Sequence, residues 1–184
     1  MEKKALRSEI LKKRDALTPS QQERAEILIT ERILGHQWFY GSEILLGFAS
    51  YGSEIHTRQI LEEALKKGKR VYLPKVENDE MNFYRLQDLS ELKEGYKGIP
   101  EPDGHSQRFV YTEEIAGKTL LLMPGVAFDP YRNRMGYGKG FYDRFLADKE
   151  GLWIRSIAIG HACQMVDRLP AEEHDVKPYQ VITV

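Results

Sequence analysis

Cysteine is almost missing from this chain: Cys163 is the only one in 184 residues. An intrachain disulfide and a cysteine-based zinc cluster are thereby excluded, and the usage fits a reducing compartment. No apolar run approaches the ~20 residues that a membrane-spanning helix needs. The charged N-terminus lacks an h-region and carries Glu2, Glu9 and Asp15, so no organelle transit peptide is expected and the cytoplasm is the expected location. A surplus of charge is missing too. The formal net charge is -1, which leaves no whole-molecule field for gripping nucleic acid or anionic lipid. Any anion binding must therefore be local. The five histidines form no ligand constellation: His161 and Cys163 lie two apart without further zinc ligands, and His174-Asp175 reads as a surface pair or, through Asp175, as a second metal carboxylate. There is no G-x-S-x-G elbow, no Walker A loop and no G-x-G-x-x-G fingerprint.

What is present begins with a length close to one domain, in an ordinary globular composition of 41% hydrophobic and 30% charged residues. Leu6, Ile10 and Leu17 fall near helical spacing from Glu2 to Ala16. Thr18-Pro19 then reads as an N-cap and first helical residue, opening a second helix that Gly35 stops. Residues 1–35 are thus expected as N-terminal helices packed on the α/β core. Glu43 to Ala49 suits a buried strand, Thr57 to Lys67 a helix, and Arg70 to Leu73 a strand ended by Pro74. Met81 to Leu86 is a further extended piece, and Asp88 to Gly117 reads as surface loop with one helical turn. Thr119 to Met123, a helix over Gly140 to Ala147, and Ile154 to Ile159 repeat the β-α-β pattern, and Val181 to Val184 suits a last strand. The expectation is a Rossmann-like α/β fold, a three-layer sandwich on a mostly parallel sheet, in a single domain over residues 1–184.

The densest chemistry lies in Leu120 to Leu146, LLLMPGVAFDPYRNRMGYGKGFYDRFL. Gly136, Gly138 and Gly140 leave backbone N–H groups unshielded, and such a run can form an anion-binding nest with a helix N-terminus behind it. Glycines that merely permit tight turns are the plainer reading. Arg132, Arg134 and Lys139 surround the run, with only Asp129 opposing them, which favours a polyphosphate. Three or four charge-assisted hydrogen bonds of roughly 1.5–3 kcal/mol each would supply the ~8 kcal/mol of a micromolar ligand. Asp143 is either a carboxylate well placed near a helix start or a Mg²⁺ ligand. Glu54 would lie at the C-terminal end of the first strand, where open sheets collect ligands. Lys3, Lys4 and Arg7 read as a solvated helix face; Phe141, Phe145 and Leu146 read as core contacts, or an aromatic at the mouth of the loop faces a planar ligand.

Taken whole, MPGVAFDPYRNRMGYGKGFYDRFL resembles the signature of the 5-formyltetrahydrofolate cyclo-ligase family, with its Pro-Gly-x-x-Phe-Asp segment, an Arg, a glycine-alternating loop and Tyr-Asp. The likeness extends to Lys3 through Arg7, Ser50 through Ile55, Ile99 through Pro102 and Asp175 through Lys177. The resemblance implies ATP- and Mg²⁺-dependent closure of 5-formyltetrahydrofolate to 5,10-methenyltetrahydrofolate. It implies that ATP is held by Lys3, Lys4, Ala5, Leu6 and Arg7 together with Arg134, Met135, Gly136, Tyr137, Gly138, Lys139, Gly140, Phe141 and Tyr142. It makes Arg134, Lys139 and Tyr142 catalytic, places Ala49, Glu54 and Phe141 against the folate, and makes Asp143 and Asp175 the metal carboxylates. Many members carry Tyr-Tyr-Asp where this chain has Phe141-Tyr142-Asp143, so no phenol at 141 can take part. Small-molecule substrates, no nucleic-acid or membrane partner, and a monomer are expected. The rival readings are a sugar-phosphate or acyl-CoA enzyme on a related scaffold and an RNA-binding module, which the near-zero net charge disfavours.

Overall fold

The computed structural model describes residues 3–170, 172 and 175–184, which leaves Glu2 and His174 outside the described residues. Six strands form the main sheet: β1 (Ile44–Leu46), β2 (Arg70–Glu77), β3 (Glu80–Leu86), β4 (Thr119–Met123), β5 (Ser156–Gly160) and β6 (Gln180–Thr183). Seven helices accompany them: α1 (Lys3–Asp15), α2 (Pro19–Leu34), α3 (Gln37–Gly41), α4 (Arg58–Lys66), α5 (Glu113–Gly117), α6 (Phe141–Leu146) and α7 (Glu150–Trp153). The spatial order is β6-β5-β4-β1-β2-β3, parallel throughout except for the antiparallel β2–β3 pair. This is the expected α/β sheet with helices on both faces.

Strand alternation sorts the core. Leu45, Val71, Leu73, Leu120, Leu122, Ile157 and Ile159 face Ile29 and Ile33 of α2 and Ile60, Leu61 and Ala64 of α4. Their neighbours Ile44, Leu46, Tyr72, Leu121, Met123 and Ala158 face the opposite way, onto Ala116 of α5, Leu146 of α6 and Leu152 of α7. Both faces of the sheet are covered, so its strands read as continuous apolar runs. At the N-terminus of α2, Thr18 accepts from the Gln21 N–H while Gln21 returns a bond to the Thr18 N–H, a capping box followed by Pro19.

Several boundaries differ from expectation, each for a local reason. Pro74 does not end β2, which runs on to Glu77. Tyr72 O accepts from Gly47 N at 2.9 Å, so residues of that parity point their backbone groups toward β1. Pro74 shares the parity, but β1 has already stopped at Leu46, so the missing N–H costs no ladder bond. Asn78 and Asp79 take φ of 51° and 60°, the pair of left-handed residues that a tight hairpin needs, and they return the chain antiparallel as β3. The expected loop 88–117 contains two 3₁₀ turns, the Lys93–Glu94 and Pro100–Glu101 ladder, and α5. Ile154 belongs to the turn after α7, so the fifth strand starts at Ser156.

Helix α1 stands apart from the sheet. Ile10, with Leu6 packed beside it, meets Val126, Ala127, Met135 and Leu169 in a small separate core. The N-terminal helix is therefore fixed to the segment that follows β4, and this decides where its cations go.

Candidate functional site

The chain runs from β1 outward to β2 and β3 and then returns to β4 on the other side of β1. Between β1 and β4 the connections diverge, and in open α/β sheets ligands gather at the strand C-terminal ends beside such a switch point. Here that place is a cavity of about 280 Å³. Phe48 and Ala49 after β1, Pro74 and Val76 of β2, Pro124 after β4 and Tyr142 of α6 contribute its walls. Ile99, Pro100 and Tyr96 close it from the segment expected to be surface loop. Its lining is mainly apolar, with a few polar groups pointing inward, the usual make-up of a small-molecule pocket.

The segment 124–142 is folded by one carboxylate. Asp129 is buried and accepts from Tyr131 N (2.9 Å), Asn133 N (2.9 Å), Asn133 Nδ2 (2.7 Å) and Leu169 N (2.8 Å). Burial alone would raise its pKa, but these four donors outweigh it and hold Asp129 below the ordinary aspartate value. The sequence reading of Asp129 as a charge opposing the neighbouring cations is corrected: it is the anchor of the turn. Arg132 is corrected too. It adopts φ 65° and is exposed, donating to Tyr179 O at 3.1 Å, and it lines neither site cavity.

Beyond this turn the glycine loop forms a wall between two cavities. Arg134, Gly136, Gly138 and Gly140 line both the apolar cavity and a second one of about 250 Å³. Gly138 (φ 95°) and Gly140 (φ 64°) are left-handed and flank Lys139, which is not, so the backbone alternates as a nest requires. The helix behind the loop is shorter than expected, only the six residues Phe141–Leu146. A helix this short adds little dipole, so any anion-binding capacity here would lie in the loop backbone. The second cavity is lined by Lys3, Arg7, Asn133, Met135 and Asp175 among others. Arg7 Nε donates to Gly136 O at 2.9 Å, and a Cβ on Gly138 would sit 3.4 Å from the Arg7 guanidinium, so α1 lies directly against the loop.

The expected site residues divide between the two sides. Lys3, Arg7 and Met135 line the cationic cavity; Ala49, Glu54, Tyr137, Lys139, Phe141 and Tyr142 line the apolar one. Lys139 is thus on the apolar side of the wall. Leu6 packs into the small core, and Lys4 and Ala5 are exposed and line neither cavity. Lys3 Nζ lies 2.7 Å from Glu172 and 3.3 Å from Asp175. Burial disfavours its charge, but these carboxylates outweigh that and raise its pKa above the ordinary lysine value.

Arg134 is almost fully enclosed and is positioned by its surroundings. Nη2 donates to Asp143 Oδ1 at 3.2 Å, Nη1 to Pro124 O at 3.3 Å, and the guanidinium stands 5.4 Å from the Tyr142 ring centre. Its Nε and the Tyr142 hydroxyl are buried with no hydrogen-bond partner. Unpartnered buried donors at a cavity wall are groups that a ligand would satisfy. Burial raises the Tyr142 phenol pKa, so it is a neutral donor at physiological pH. Asp143 lines neither cavity; its Oδ1 is shared between Arg134 and the Val176 N–H (3.1 Å). Asp175 Oδ2 accepts from Lys3 and from Glu172 N at 2.8 Å. Among the described residues no three His, Cys, Asp or Glu side chains gather as a metal cluster, and no helix is long and apolar enough to cross a membrane.

Glu54 is buried at the other end of the apolar cavity. Tyr51 and Glu54 close their turn reciprocally, Glu54 N to Tyr51 O at 3.1 Å and Tyr51 N to Glu54 Oε2 at 3.0 Å. Tyr137 Oη donates to Glu54 Oε1 at 2.6 Å. Arg14, Tyr96 and Lys97 were not anticipated. Arg14 follows Arg7 by two helical turns on one face, and that spacing was the available signal; Ile99-Pro100 pointed toward the 96–101 wall.

Sheet, switch-point cavity and glycine wall are those of an α/β fold with a small-molecule-sized cavity beside one lined by Lys3, Arg7 and Arg134. Over its whole length, residues 1–184, the sequence matches the 5-formyltetrahydrofolate cyclo-ligase family. The 5-formyltetrahydrofolate cyclo-ligase of Escherichia coli K12 is 31% identical over 177 residues, spanning 95% of this chain and 96% of that protein. The Mus musculus cyclo-ligase is 27% identical over 188 residues, spanning 98% of this chain and 92% of that one. Among solved structures, Aquifex aeolicus 5,10-methenyltetrahydrofolate synthetase superposes with a TM-score of 0.84 at 31% identity, covering 100% of this chain and 90% of its own. The Mycoplasma pneumoniae synthetase shares the fold, with a TM-score of 0.76 at 24% identity over 99% of this chain and 98% of that one. The chain belongs to the 5-formyltetrahydrofolate cyclo-ligase family.

Proposed function

We propose that this chain converts 5-formyltetrahydrofolate and ATP to 5,10-methenyltetrahydrofolate, ADP and phosphate. The observation that carries the reading is the glycine wall: one loop borders an apolar cavity suited to a planar pterin and a cationic cavity suited to a triphosphate. Family membership supplies the substrate class, and the geometry supplies the division of labour.

On this reading Glu54 accepts from the pterin N–H groups, and Phe141 and Ala49 pack against the ring system. Lys3, Arg7 and the loop amides 136–140 hold the triphosphate. A formamide oxygen is a poor leaving group. Its attack on the γ-phosphorus forms an O–P bond and breaks the β,γ P–O bond, releasing ADP. N10 then adds to the activated carbon and gives up its proton to a phosphate oxygen or water, and the C–O bond breaks to expel phosphate and leave the conjugated methenyl bridge. The chain's task is alignment and charge neutralisation on the transferring group. Arg134 and Lys139, at the wall and its rim, are the cations for that charge, and the Tyr142 hydroxyl is a donor to a substrate oxygen. Mg²⁺ is usually held by one or two carboxylates together with substrate phosphates. Asp175 on the cationic wall and Asp143 behind Arg134, each with one oxygen unpartnered among the described residues, fit that donor set; the ion would neutralise phosphate charge. The enzyme acts as a monomer in the cytoplasm.

The test is direct. Pure protein given 5-formyltetrahydrofolate should develop the methenyl chromophore only when ATP and Mg²⁺ are both present, with one ADP per product. Absence of product under those conditions rejects the reading.

A further inference from the structure

Arg14 lies on the last turn of α1 and is buried, an uncommon place for a guanidinium. Its Nε donates to Ser53 Oγ at 3.0 Å and its Nη2 to Tyr137 Oη at 3.0 Å. Ser53 in turn donates to Asp15. Arginine carries donors only, so Tyr137 must accept from Arg14, and its single phenolic proton is then committed to Glu54 Oε1. The second oxygen, Oε2, already receives the Tyr51 N–H. Both oxygens of Glu54 therefore accept, and every proton in the chain Arg14–Tyr137–Glu54 points the same way.

We propose that Arg14 and Tyr137 are positioning residues for the substrate: as a one-way relay they hold the Glu54 carboxylate charged and fixed in orientation, as an acceptor facing the apolar cavity. This rests on the assignment of that cavity to the pterin. A carboxylate offers about four lone-pair sites, and the relay and turn occupy two, which leaves acceptor capacity for the ligand. The relay is needed because burial works against ionisation. Burial is the largest influence on Glu54 and leaves its pKa raised above the ordinary glutamate value; the Tyr137 hydroxyl, the Tyr51 amide and the Arg14 charge oppose burial and limit that rise. The other charged or titratable groups around this site are Tyr142 from α6, with Arg134 at its ring, Lys139 of the glycine loop, Tyr96, Lys97 and Glu101 from the 96–101 wall, and His161 behind Arg14. None of these makes a hydrogen bond to Glu54. The path also crosses the fold, from α1 through the glycine loop to the turn after β1, so folate recognition depends on the helix that borders the phosphate side.

The decisive variant is Tyr137→Phe, which keeps the ring and removes only the relay oxygen. In ligand-free protein, carbon-detected NMR of the Glu54 side-chain carboxyl should show its titration moving up by about one pH unit, the tenfold change expected for one lost charge-assisted hydrogen bond. In turnover assays between about pH 5.5 and 8.5, the folate KM should rise about tenfold on the acid side and converge with wild type on the alkaline side. The kcat should stay near wild type, and so should the ATP KM, because the phosphate contact proposed at residue 137 is its backbone N–H, which the substitution keeps, while its hydroxyl is on Glu54. Arg14→Lys, which retains the charge but loses the fork, should give a smaller shift of the same sign. Placed in a Glu54→Gln background, Tyr137→Phe should lose its pH-dependent effect. An unmoved Glu54 titration, or a Tyr137→Phe effect on ATP KM rather than folate KM, overturns the relay. The two readings fail separately: a protein that turns over no folate yet shows the NMR shift keeps the relay and loses its pterin role, whereas normal turnover with an unmoved titration loses the relay alone.

Discussion

The two sides of the glycine wall are built from the same four residues and behave as different solvents. On one side Glu54, Arg14 and Tyr142 are buried and most of their bonding is settled before any ligand arrives; among the described residues only the Tyr142 hydroxyl and Arg14 Nη1 of these three side chains lack a partner. On the other side Lys3 is about one-third exposed and pairs with carboxylates that are themselves partly wet. Coulomb interactions in the first environment are weakly screened, and those in the second are screened within about 8–10 Å at ordinary ionic strength. Shape and hydrogen-bond direction should therefore select the ligand in the apolar cavity, while charge number should select it in the cationic one.

The largest effect should come from the one side chain among the described residues that borders both sides, since the other shared residues are glycines. Arg134→Ala should lower kcat by about 10²–10³-fold, the usual cost of losing one preorganised group at developing charge, with circular dichroism showing a folded protein. Near-normal turnover would remove the wall from the chemistry and dissolve the comparison. Next is Asp129→Asn, which touches neither cavity but anchors the turn that carries the wall. It should cost about 2–3 kcal/mol, read as a fall of several degrees in Tm. The sign follows from its depressed pKa: that stability is present in full above the unfolded value of about 3.9 and is lost as pH falls through the folded value. The gap between wild type and variant in denaturant midpoint should therefore close in acid, and a gap that widens there would contradict the assignment.

A smaller effect is expected for Gly138→Val. The left-handed backbone costs about 1–2 kcal/mol for such a residue, while the new Cβ would only reach ordinary contact with Arg7, 3.4 Å away. The ATP KM should rise about tenfold and the folate KM far less; equal rises would mean the loop shapes both cavities alike. Smallest is Lys3→Ala. A partly exposed ion pair contributes about 0–1 kcal/mol, so ATP KM should rise no more than about fivefold. Added salt should mimic the substitution for ATP and leave folate KM flat, and a salt-sensitive folate KM would sink the distinction between the two environments.

Much of this was legible in the chain. The apolar runs around residues 45, 72, 121 and 158 announced buried strands because both faces of the sheet are covered. Thr18-Pro19 announced a helix start because capping is local. The glycines at 138 and 140 announced a special backbone, and both are left-handed. Pro74 misled because its effect depends on whether a neighbouring strand reaches that far, which is a property of register. The 88–117 segment misled because its short ladder and turns are held by contacts with β2 and the cavity rather than by any period of their own. Arg132, Arg134 and Lys139 looked alike as three cations in eight residues of sequence; backbone direction at Arg132 sends one of them away.

The amino-acid order by itself determined the strands, the helix starts, the turn chemistry and the presence of a left-handed glycine loop, because all of these are set by interactions within a few residues. Only the tertiary structure decided which cations face which cavity, and that Arg14, Tyr137 and Glu54 meet, across separations of 123 and 83 residues. Those meetings depend on how α1 docks against the segment after β4, and docking is decided by the summed burial of Ile10, Val126, Ala127, Met135 and Leu169, to which no local pattern points.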